Sequence, residues 1–343
     1  MSTKNLSYLR KHLLKFYSEH QRKLPWRGID DPYGVWVSEI MLQQTQVDTV
    51  KPRYKIFMEE FPTVEVLAQA GVHRVCEAWA GLGYYRRARL LHAGAEYVVK
   101  ELDGHLPQEP KALQRIPGIG RYTAGAIASI AFGQAAPIVD GNVERVLGRF
   151  FALEHEVKSS AGQEALWAWA SELVQGGEPS LVNQGVMEFG ALLCRPRDPD
   201  CGRCPVARRC AAYAAGDVDA YPKIKTKAKK KKMDLVLVLL EAPKGGFYLQ
   251  QRPLDGLWAG LWEPLSALGS AGKKELEGRL GIRLGRAKFR FTHILTHREV
   301  IVSVYIPPQS MPLKTSQALK ITKDPLEEPL SGPARKAWQR FFS

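Results

Sequence analysis

Leu113–Ser129 reads LQRIPGIGRYTAGAIAS and is the most informative segment for the fold of the N-terminal part. Pro117 ends one helical segment, and Gly118 and Gly120 predict a tight turn before a second helix that begins near Thr123. Glycines let a backbone approach a ligand closely, and the first turn of the second helix offers free N–H groups to a phosphate. A glycine pair alone is more often a packing turn than a binding site. With its flanking helices, however, the segment 113–129 is a candidate helix-hairpin-helix, a motif that binds the DNA backbone without reading its sequence.

Helical periodicity surrounds this motif from Ser7 to Gly216, where apolar residues recur three and four positions apart between proline and glycine breaks. We therefore predict an all-α domain over residues 1–216. The composition changes at Tyr221–Lys232, which carries seven lysines and no acidic residue. This lysine run predicts an extended linker over residues 217–232.

Strand patterns follow the linker. Met233–Leu240, Phe247–Gln251 and Glu299–Ile306 have the β-branched or apolar character of strands, whereas Lys273–Leu280 has the pattern of a helix. We therefore predict a separate α+β domain over residues 233–343.

The composition indicates a polyanionic partner. The 343 residues carry a formal net charge of +14, and 45% of them are hydrophobic, which is enough to bury sizeable cores. The longest aliphatic run, Leu235–Leu240, is far too short to span a membrane, and the N-terminus has no apolar signal segment. These features predict a cytoplasmic protein that binds nucleic acid and no membrane.

Four of the five cysteines are concentrated in the loop 194–210, as Cys194, Cys201, Cys204 and Cys210. In a reduced compartment this density predicts a metal site rather than disulfides. Four thiolates suit a structural zinc ion as well as a [4Fe-4S] cluster, although only Cys201 and Cys204 form the close pair typical of zinc. Five arginines share the loop, so that a metal-folded loop would present a phosphate-binding surface.

Two carboxylates accompany the hairpin. Asp140 follows the apolar run Ile138–Val139 and precedes a helical segment, a position in which Asp commonly caps a helix. Glu39 lies beside Ile40 and Met41 in another helical segment, where burial would favour its protonated form. An exposed helical Glu fits that local sequence equally well.

The order of hairpin, Asp140 and four-cysteine loop resembles the helix-hairpin-helix superfamily of base-excision DNA glycosylases. Three further segments are similar to the adenine DNA glycosylase (MutY) family: Leu24–Arg27 (LPWR), Gly34–Val47 (GVWVSEIMLQQTQV) and Ala80–Tyr85 (AGLGYY). The resemblance covers residues 8–213. It implies a glycosylase domain with a [4Fe-4S] cluster on the four cysteines, a nucleoid-associated monomer, and double-stranded DNA as the partner.

The resemblance also implies a reaction and its residues. Adenine opposite 8-oxoguanine or guanine is flipped out of the duplex and removed by hydrolysis, which leaves an abasic site. Neutral Glu39 would protonate the purine N7, ionised Asp140 would stabilise the oxocarbenium ion, and Asn142 would steady the attacking water. Tyr122 is a further catalytic candidate and stands at the position where the lyase branch of the superfamily has a lysine that forms a Schiff base. A phenol cannot form an imine. The match therefore implies a monofunctional enzyme.

Motif alignment assigns DNA contacts as well. Gly118 and Gly120 would bind the DNA backbone. Trp26, Arg27 and Gln184 would line the adenine pocket. Gln44 and Thr45 would probe the opposite base, and Leu82 and Tyr84 would be inserted beside it. For Trp26 and Tyr84, an ordinary place in an aromatic core explains the sequence equally well.

The last third resembles the MutT-like (Nudix-fold) domain of the same family, most clearly at Gly256–Glu263 (GLWAGLWE). The segment Lys273–Leu280 has only two acidic residues of the metal-binding cluster that a Nudix hydrolase needs, so we expect no pyrophosphatase activity. Thr296 and His297 fall where the family senses 8-oxoguanine, and Leu295 replaces an aromatic residue.

Two other functions stay open on the sequence. A thymine-glycol or mismatch-type glycosylase is disfavoured by Tyr122 and by the second domain. A non-catalytic DNA-binding module is disfavoured by the presence of both Glu39 and Asp140.

Overall fold

The computed structural model describes residues 3–29, 31–225, 230–253, 256–295, 297–308, 310–313 and 319–343. The chain divides into two compact units, the first comprising Met1–Gly83 and Arg87–Thr226 and the second comprising Lys227–Ser343 together with Tyr84–Arg86. None of the helices in the described ranges has the length and apolarity that a membrane span requires.

The first unit is helical, as the three- and four-residue periodicity predicts. Short 3-10 turns at Cys201–Arg203, Ala207–Arg209 and Val218–Ala220 follow its last long helix. Its α-helices are α1 (Thr3–His20), α2 (Pro32–Leu42), α3 (Val47–Glu60), α4 (Val64–Gln69), α5 (Val72–Ala78), α6 (Arg86–Glu101), α7 (Pro110–Leu113), α8 (Arg121–Ile130), α9 (Gly141–Phe150), α10 (Ser160–Val174), α11 (Pro179–Leu192) and α12 (Ala211–Ala214).

The core of this unit forms where α11 packs against α1, α8 and α9. Leu9 and Leu13 of α1, Val143 and Leu147 of α9 and Phe189 of α11 meet there and are almost completely buried. Burial of such side chains from water is the main stabilising contribution to a helical unit of this kind. The packing brings the N-terminal ends of α8 and α9 close to α2.

The helix-hairpin-helix consists of α7, a turn and α8. Gly118 has a φ of +83°, which an L side chain rarely adopts, so the turn requires glycine there. Helix α8 begins at Arg121, two residues earlier than predicted. Gly125 lets α8 approach the segment before α9, because a Cβ there would lie 2.2 Å from the Pro137 carbonyl oxygen.

The first residues of the predicted linker pack on the first unit. Arg149 Nε donates hydrogen bonds to the carbonyl oxygens of Val218 and Tyr221, at 3.2 and 3.0 Å. The Val157 N–H donates to the Lys223 carbonyl oxygen at 2.9 Å. The first strand of the second unit begins at Lys231. The described residues at the two ends of the 217–232 segment thus belong to the two units: Val218 and Tyr221 are bound by buried Arg149, and Lys231 and Lys232 are part of β1.

The second unit combines strands and helices, which confirms the predicted α+β class. The sequence predicted β1, β2, β6 and α13, and missed the other strands and the C-terminal helix. The elements are β1 (Lys231–Val238), β2 (Phe247–Gln251), β3 (Trp262–Glu263), β4 (Leu265–Leu268), α13 (Gly272–Leu280), β5 (Phe289–Ile294), β6 (Arg298–Tyr305), β7 (Leu319–Thr322) and α14 (Gly332–Phe342).

A four-stranded sheet in the order β4-β1-β6-β5 lies between the two helices, and β3-β2-β7 form a second sheet. Strand β1 is parallel to β6 and antiparallel to β4. Leu237 on one face of β1 belongs to a core with Trp338 of α14, whereas Val238 on the other face belongs to a core with Leu276 of α13. Burial on both faces explains the unbroken apolar run that begins at Leu235.

Candidate active site

Glu39 is enclosed in the first unit, with 6% of its surface exposed. Its helix α2 starts at Pro32 and is capped by Asp31, and it is apolar on every side, so the carboxyl it carries is enclosed with it. Burial raises the pKa of Glu39 to about 7, and the nearby charge of Asp140 adds to the rise, against a hydrogen bond from Tyr122 and the charge of Arg27. A carboxyl with this pKa can hold a proton at neutral pH.

Tyr122 lies at the start of α8 and contacts Glu39 directly. Its hydroxyl donates to Glu39 Oε2 at 2.7 Å and also lies 3.4 Å from the sulfur of Met187. Burial raises the pKa of the phenol well above its usual value, so Tyr122 remains a neutral donor. Of the residues predicted to be catalytic, these two form a direct pair.

Asp140 is the N-cap of α9, as the local sequence predicts. Its Oδ1 accepts hydrogen bonds from the backbone N–H groups of Asn142 and Val143 at 2.9 and 2.8 Å, and its Oδ2 accepts one from Asn142 Nδ2 at 2.9 Å. Burial raises the pKa of Asp140, while these three donors and the charge of Arg145 favour its ionised form. Asp140 therefore caps helix α9 and also lies near enough to Glu39 for its charge to affect the pKa of that residue.

A chain of hydrogen bonds connects Asp140 to the cysteine loop. Asn142 bonds Asp140 through its amide nitrogen, and its Oδ1 accepts a hydrogen bond from Arg145 Nη2 at 2.8 Å. Arg145 Nε donates to the carbonyl oxygen of Cys194 at 2.6 Å. Sequence reasoning missed Arg145, although its position four residues after Gly141 places it on the same face of α9 as the site.

The predicted adenine pocket residues lie on and near α11. Gln184 is buried and accepts a hydrogen bond from the Tyr17 hydroxyl at 2.8 Å. The Arg27 guanidinium lies 5.4 Å from the centroid of the same Tyr17 ring. Trp26 is buried and packs edge-on against Tyr54, with ring centroids 5.4 Å apart, as the core alternative predicted.

Glu188 is a residue of this region that sequence reasoning missed. It is fully buried one helical turn after Gln184, and its carboxylate accepts hydrogen bonds from Arg22 and Arg27. Burial alone would raise the pKa of Glu188, but the two guanidinium groups hold it at about 2. A lone acidic residue in the apolar segment VMEFGALL was the available signal for this cluster.

Two loops that were predicted to contact the opposite base are held together by Arg87, which was also missed. Arg87 is buried, and its Nη1 donates to the carbonyl oxygens of Ile40, Met41 and Gln43 at the end of α2. Its Nη2 donates to Thr45 Oγ1 at 3.0 Å and, at 3.1 Å each, to the carbonyl oxygens of Leu82 and Gly83. One guanidinium thus fixes both loops relative to each other.

The exposed residues of these loops differ from the prediction in one respect. Gln44 is exposed, with a φ of +57°, and Tyr84 is 54% exposed, with a φ of +49°. Leu82, in contrast, is only 4% exposed, because its side chain packs inward. Tyr84 is therefore the projecting residue of the Leu82–Tyr84 pair in this structure.

The hairpin presents an open backbone next to a fixed cation. A Cβ on Gly120 would meet no atom within 4 Å, so space is free above this residue. The guanidinium of Arg121, the next residue, lies over the Trp167 ring at 3.7 Å from its centroid. Open glycine backbone, a helix N-terminus and an adjacent guanidinium are a suitable surface for a phosphate.

The four clustered cysteines line one cavity, whose walls include the apolar residues Val146, Phe189 and Leu193. They form no disulfide, and Arg149 Nη1 lies 3.5 Å from the sulfur of Cys194. In the described part of the chain, no three Cys, His, Asp or Glu side chains stand as a ready-made metal site. The sequence prediction of a shared cysteine environment therefore holds, while the group itself remains a prediction.

In the second unit, His297 is exposed and its carbonyl oxygen accepts a hydrogen bond from the Lys231 N–H at 3.2 Å. Thr296, its predicted partner, lies outside the described residues. On α13, Glu277 is engaged in the fold, since its Oε1 accepts a hydrogen bond from the Leu284 N–H at 2.8 Å.

Comparisons with known proteins agree with both units. Residues 37–172 match the family of HhH-GPD superfamily base excision DNA repair proteins, and residues 236–340 match the NUDIX domain. A solved thermostable thymine-DNA glycosylase is 31% identical, with a TM-score of 0.58 over 62% of this chain and 98% of its own. An endonuclease III–DNA covalent complex, at 20% identity and a TM-score of 0.54, covers 63% of this chain and 99% of its own and shares the fold. Fold and site thus define a helix-hairpin-helix base-excision repair protein with an appended Nudix domain.

Curated relatives narrow the class. The adenine DNA glycosylase of Buchnera aphidicola (strain Sg) is 34% identical and matches over 73% of this chain and 72% of its own length. The human enzyme of the same name is 40% identical over 73% of this chain and 56% of its own, and that of Arabidopsis thaliana is 41% identical over 74% and 46%. The chain therefore belongs to the adenine DNA glycosylase family, and it spans about half the length of the human and plant relatives.

Proposed function

We propose that this protein is a monofunctional DNA glycosylase that hydrolyses the N-glycosidic bond of adenine paired with 8-oxoguanine or guanine in duplex DNA and leaves an abasic site. The observation that carries the proposal is the buried Glu39 carboxyl, which has a pKa of about 7 and is bonded to Tyr122 beside Asp140. Acid–base cleavage of a glycosidic bond needs such a pair of carboxyl groups in different protonation states.

The proton belongs on Glu39 and the charge on Asp140. Three N–H donors stabilise the carboxylate form of Asp140, whereas Glu39 accepts one hydrogen bond, from a neutral phenol. Because Tyr122 donates to Oε2, the proton of Glu39 is carried by Oε1, and this oxygen would meet the substrate. In the mechanism we infer, this proton is transferred to N7 of the flipped adenine as the glycosidic bond breaks.

Asp140 and Asn142 act on the sugar. The positive charge that develops at C1′ is stabilised by the Asp140 carboxylate, which the helix cap holds in place. A water molecule oriented by Asn142 and Asp140 then attacks C1′ and gives up a proton to the Asp140 carboxylate. Tyr122 offers no amine for a Schiff base, so the product is an abasic site rather than a cleaved strand.

The flipped adenine would occupy the region of Trp26, Arg27 and Gln184. Glu188 holds the Arg27 guanidinium, so that this cation is fixed before a base enters. A preorganised donor reduces the entropy lost when the base binds. Gln44, Thr45 and Tyr84, on the loops that Arg87 joins, would contact the opposite strand at the gap.

The cysteine loop fits a [4Fe-4S] cluster. Four thiols around one cavity with apolar walls match the ligand set of such a cluster, and the Arg149 guanidinium lies 3.5 Å from the sulfur of Cys194. Cys194, Cys201, Cys204 and Cys210 would hold the cluster. When bound, it would fix the loop that carries the five arginines and so support contacts with phosphates.

The second unit would read the base opposite adenine. In 8-oxoguanine, N7 becomes a donor and C8 gains an oxygen acceptor, a pattern that guanine does not present. The hydroxyl of Thr296 and the imidazole of His297 can pair with both groups. We expect Thr296→Ala/His297→Ala to lower the preference for 8-oxoguanine over guanine by at least the factor of about 5 to 150 that corresponds to loss of a single base contact.

The substrate panel that tests the proposal contains duplexes with adenine opposite 8-oxoguanine, adenine opposite guanine, and thymine glycol. Strand scission should appear only after hot alkali and only with the two adenine duplexes. Cleavage of the thymine-glycol duplex would support the thymine-glycol-type alternative, and binding without any base release would support a DNA-binding module. Either result would contradict the proposed function.

A further inference from the structure

A strongly basic segment of the second unit has no part in the function so far. Residues 278–298 contain six arginines and lysines and no aspartate or glutamate. The proposed reading of 8-oxoguanine uses only the loop at the end of this segment. Four of the six cations, Arg283, Arg286, Lys288 and Arg290, lie on strand β5 and on the loop that precedes it.

The loop before β5 forms one side of a cleft with cations and aromatic rings. Lys273, Arg286 and Arg290 line it together with Phe289 and Tyr305, and no acidic side chain is among its described lining residues. Lys273 Nζ donates to the Gly285 carbonyl oxygen at 2.7 Å and lies 5.5 Å from the Tyr305 ring centroid, with Glu277 3.8 Å away. The Lys273 ammonium is therefore held in place at the cleft.

More basic residues lie on and around strand β5, which is an edge strand of the four-stranded sheet. It is the last strand in the order of the four-stranded sheet, and among the described residues its partner strand is β6. Arg290 and Thr292 are exposed on one face, as is Lys288 just before the strand. On the other face, Lys336 and Arg340 of α14 lie over the Phe291 ring, at 4.9 and 5.1 Å from its centroid. We call Lys273, Arg286, Lys288, Arg290, Lys336 and Arg340 the basic edge.

We propose that the basic edge binds phosphates of the DNA strand that carries the base read by His297. This inference rests on the proposed function, because it assumes that the second unit faces that base. Arg290 and His297 are seven residues apart, and at about 3.4 Å per strand residue they lie within about 25 Å of each other. The phosphates of nucleotides that flank the opposite base fall within that reach. A cluster of cations attracts the phosphates of a nucleic acid backbone, and three of these cations lie 4.9–5.5 Å from the centroids of aromatic rings.

The salt dependence of DNA binding tests this surface in the full-length protein. We compare wild type with Lys288→Gln/Arg290→Gln, and with Lys244→Gln/Lys323→Gln, which removes the same charge near the β2 and β7 sheet. Each lost phosphate contact reduces the slope of log K against log salt concentration by about 0.9. The slope of the Lys288/Arg290 variant should therefore be shallower than that of wild type by about 2. As a result, the factor by which the variant binds more weakly than wild type should shrink about tenfold between 50 and 200 mM salt. The control variant should keep the wild-type slope, and equal slopes for all three proteins would overturn the proposal.

Neutral phosphates identify the strand that is bound. Methylphosphonates placed beside 8-oxoguanine in its strand should weaken binding by wild type and by the control variant, but should weaken binding by the Lys288/Arg290 variant much less. Equal losses for every protein, or losses only when the adenine strand is modified, would contradict the assignment. Failure of the proposed function is distinguishable, because the wild-type protein would then release no adenine from the same duplex.

Discussion

The hydroxyl of Tyr122 donates a hydrogen bond to Oε2 of Glu39 at 2.7 Å. A residue of α8, directly after the hairpin, thus touches the carboxyl of α2, so that the proposed DNA clamp and the proposed acid are joined through a single phenol. Because the phenol is neutral, it stabilises the Glu39 carboxylate only modestly, and burial dominates its pKa.

The pH dependence of base release follows from this contact. Glu39 acts in its protonated form, and burial raises its pKa to about 7, so single-turnover rates should fall about tenfold per pH unit above pH 7. Tyr122→Phe removes a hydrogen bond that lowers this pKa, so the alkaline limb should move to higher pH. Single-turnover profiles of both proteins provide the test, and a limb that moves to lower pH would contradict the assigned proton.

Replacing Glu39 by Gln should raise stability at alkaline pH although it abolishes the proposed activity. The pKa of Glu39 in the folded protein is raised above its ordinary value, so ionisation of the buried carboxyl destabilises the fold. The free energy of unfolding is therefore highest at low pH and falls as pH rises through about 7. Glu39→Gln does not undergo this loss, so at pH 8.5 its free energy of unfolding should exceed that of wild type by about 3 kcal/mol at most. Urea unfolding at pH 8.5 measures the difference. Near pH 5 the advantage should largely vanish. A variant less stable than wild type at pH 8.5 would show that ionised Glu39 is not strained by burial.

Much of the architecture could be predicted because local patterns specify it. The glycine pair of the hairpin, the apolar run of β1 and the capping position of Asp140 all have the predicted conformations. Long-range partners could not be predicted, since nothing in the sequence near Arg87 or Glu188 indicates which distant carbonyls or guanidinium groups they meet. The same limit applies to Leu82, whose inward packing depends on elements far along the chain.

Arg87 should matter for loop position more than for overall stability. Arg87→Lys keeps the charge but loses most of the six hydrogen bonds to the two loops. We expect binding to adenine opposite 8-oxoguanine to weaken about 10- to 100-fold, with little change in binding to an undamaged duplex. Arg10→Lys is the matched control, because Arg10 also donates to backbone carbonyl oxygens, those of Glu172 and Leu173. Equal losses of specific binding in both variants would indicate a purely structural role.

The cysteine loop makes a prediction about metal content. Anaerobically purified protein should be brown and contain about four irons per chain. Cys204→Ser should lose iron and weaken DNA binding, because the loop carries arginines, whereas Cys76→Ser should keep both, since Cys76 lies on α5 and outside the cysteine cavity. Stoichiometric zinc without iron in the wild-type protein would contradict the assignment.

The most direct measurement is the single-turnover rate of adenine release opposite 8-oxoguanine by Glu39→Gln, made beside duplex binding by the same protein. Gln keeps the shape of Glu39 and can still accept the hydrogen bond from Tyr122, but it has no proton to transfer. We expect base release to become undetectable while the affinity for the duplex stays within a few fold of wild type. Glu144→Gln, a buried glutamate bonded to Lys158, should release adenine at the wild-type rate. A Glu39→Gln rate close to that of wild type would contradict the assignment of Glu39 as the acid.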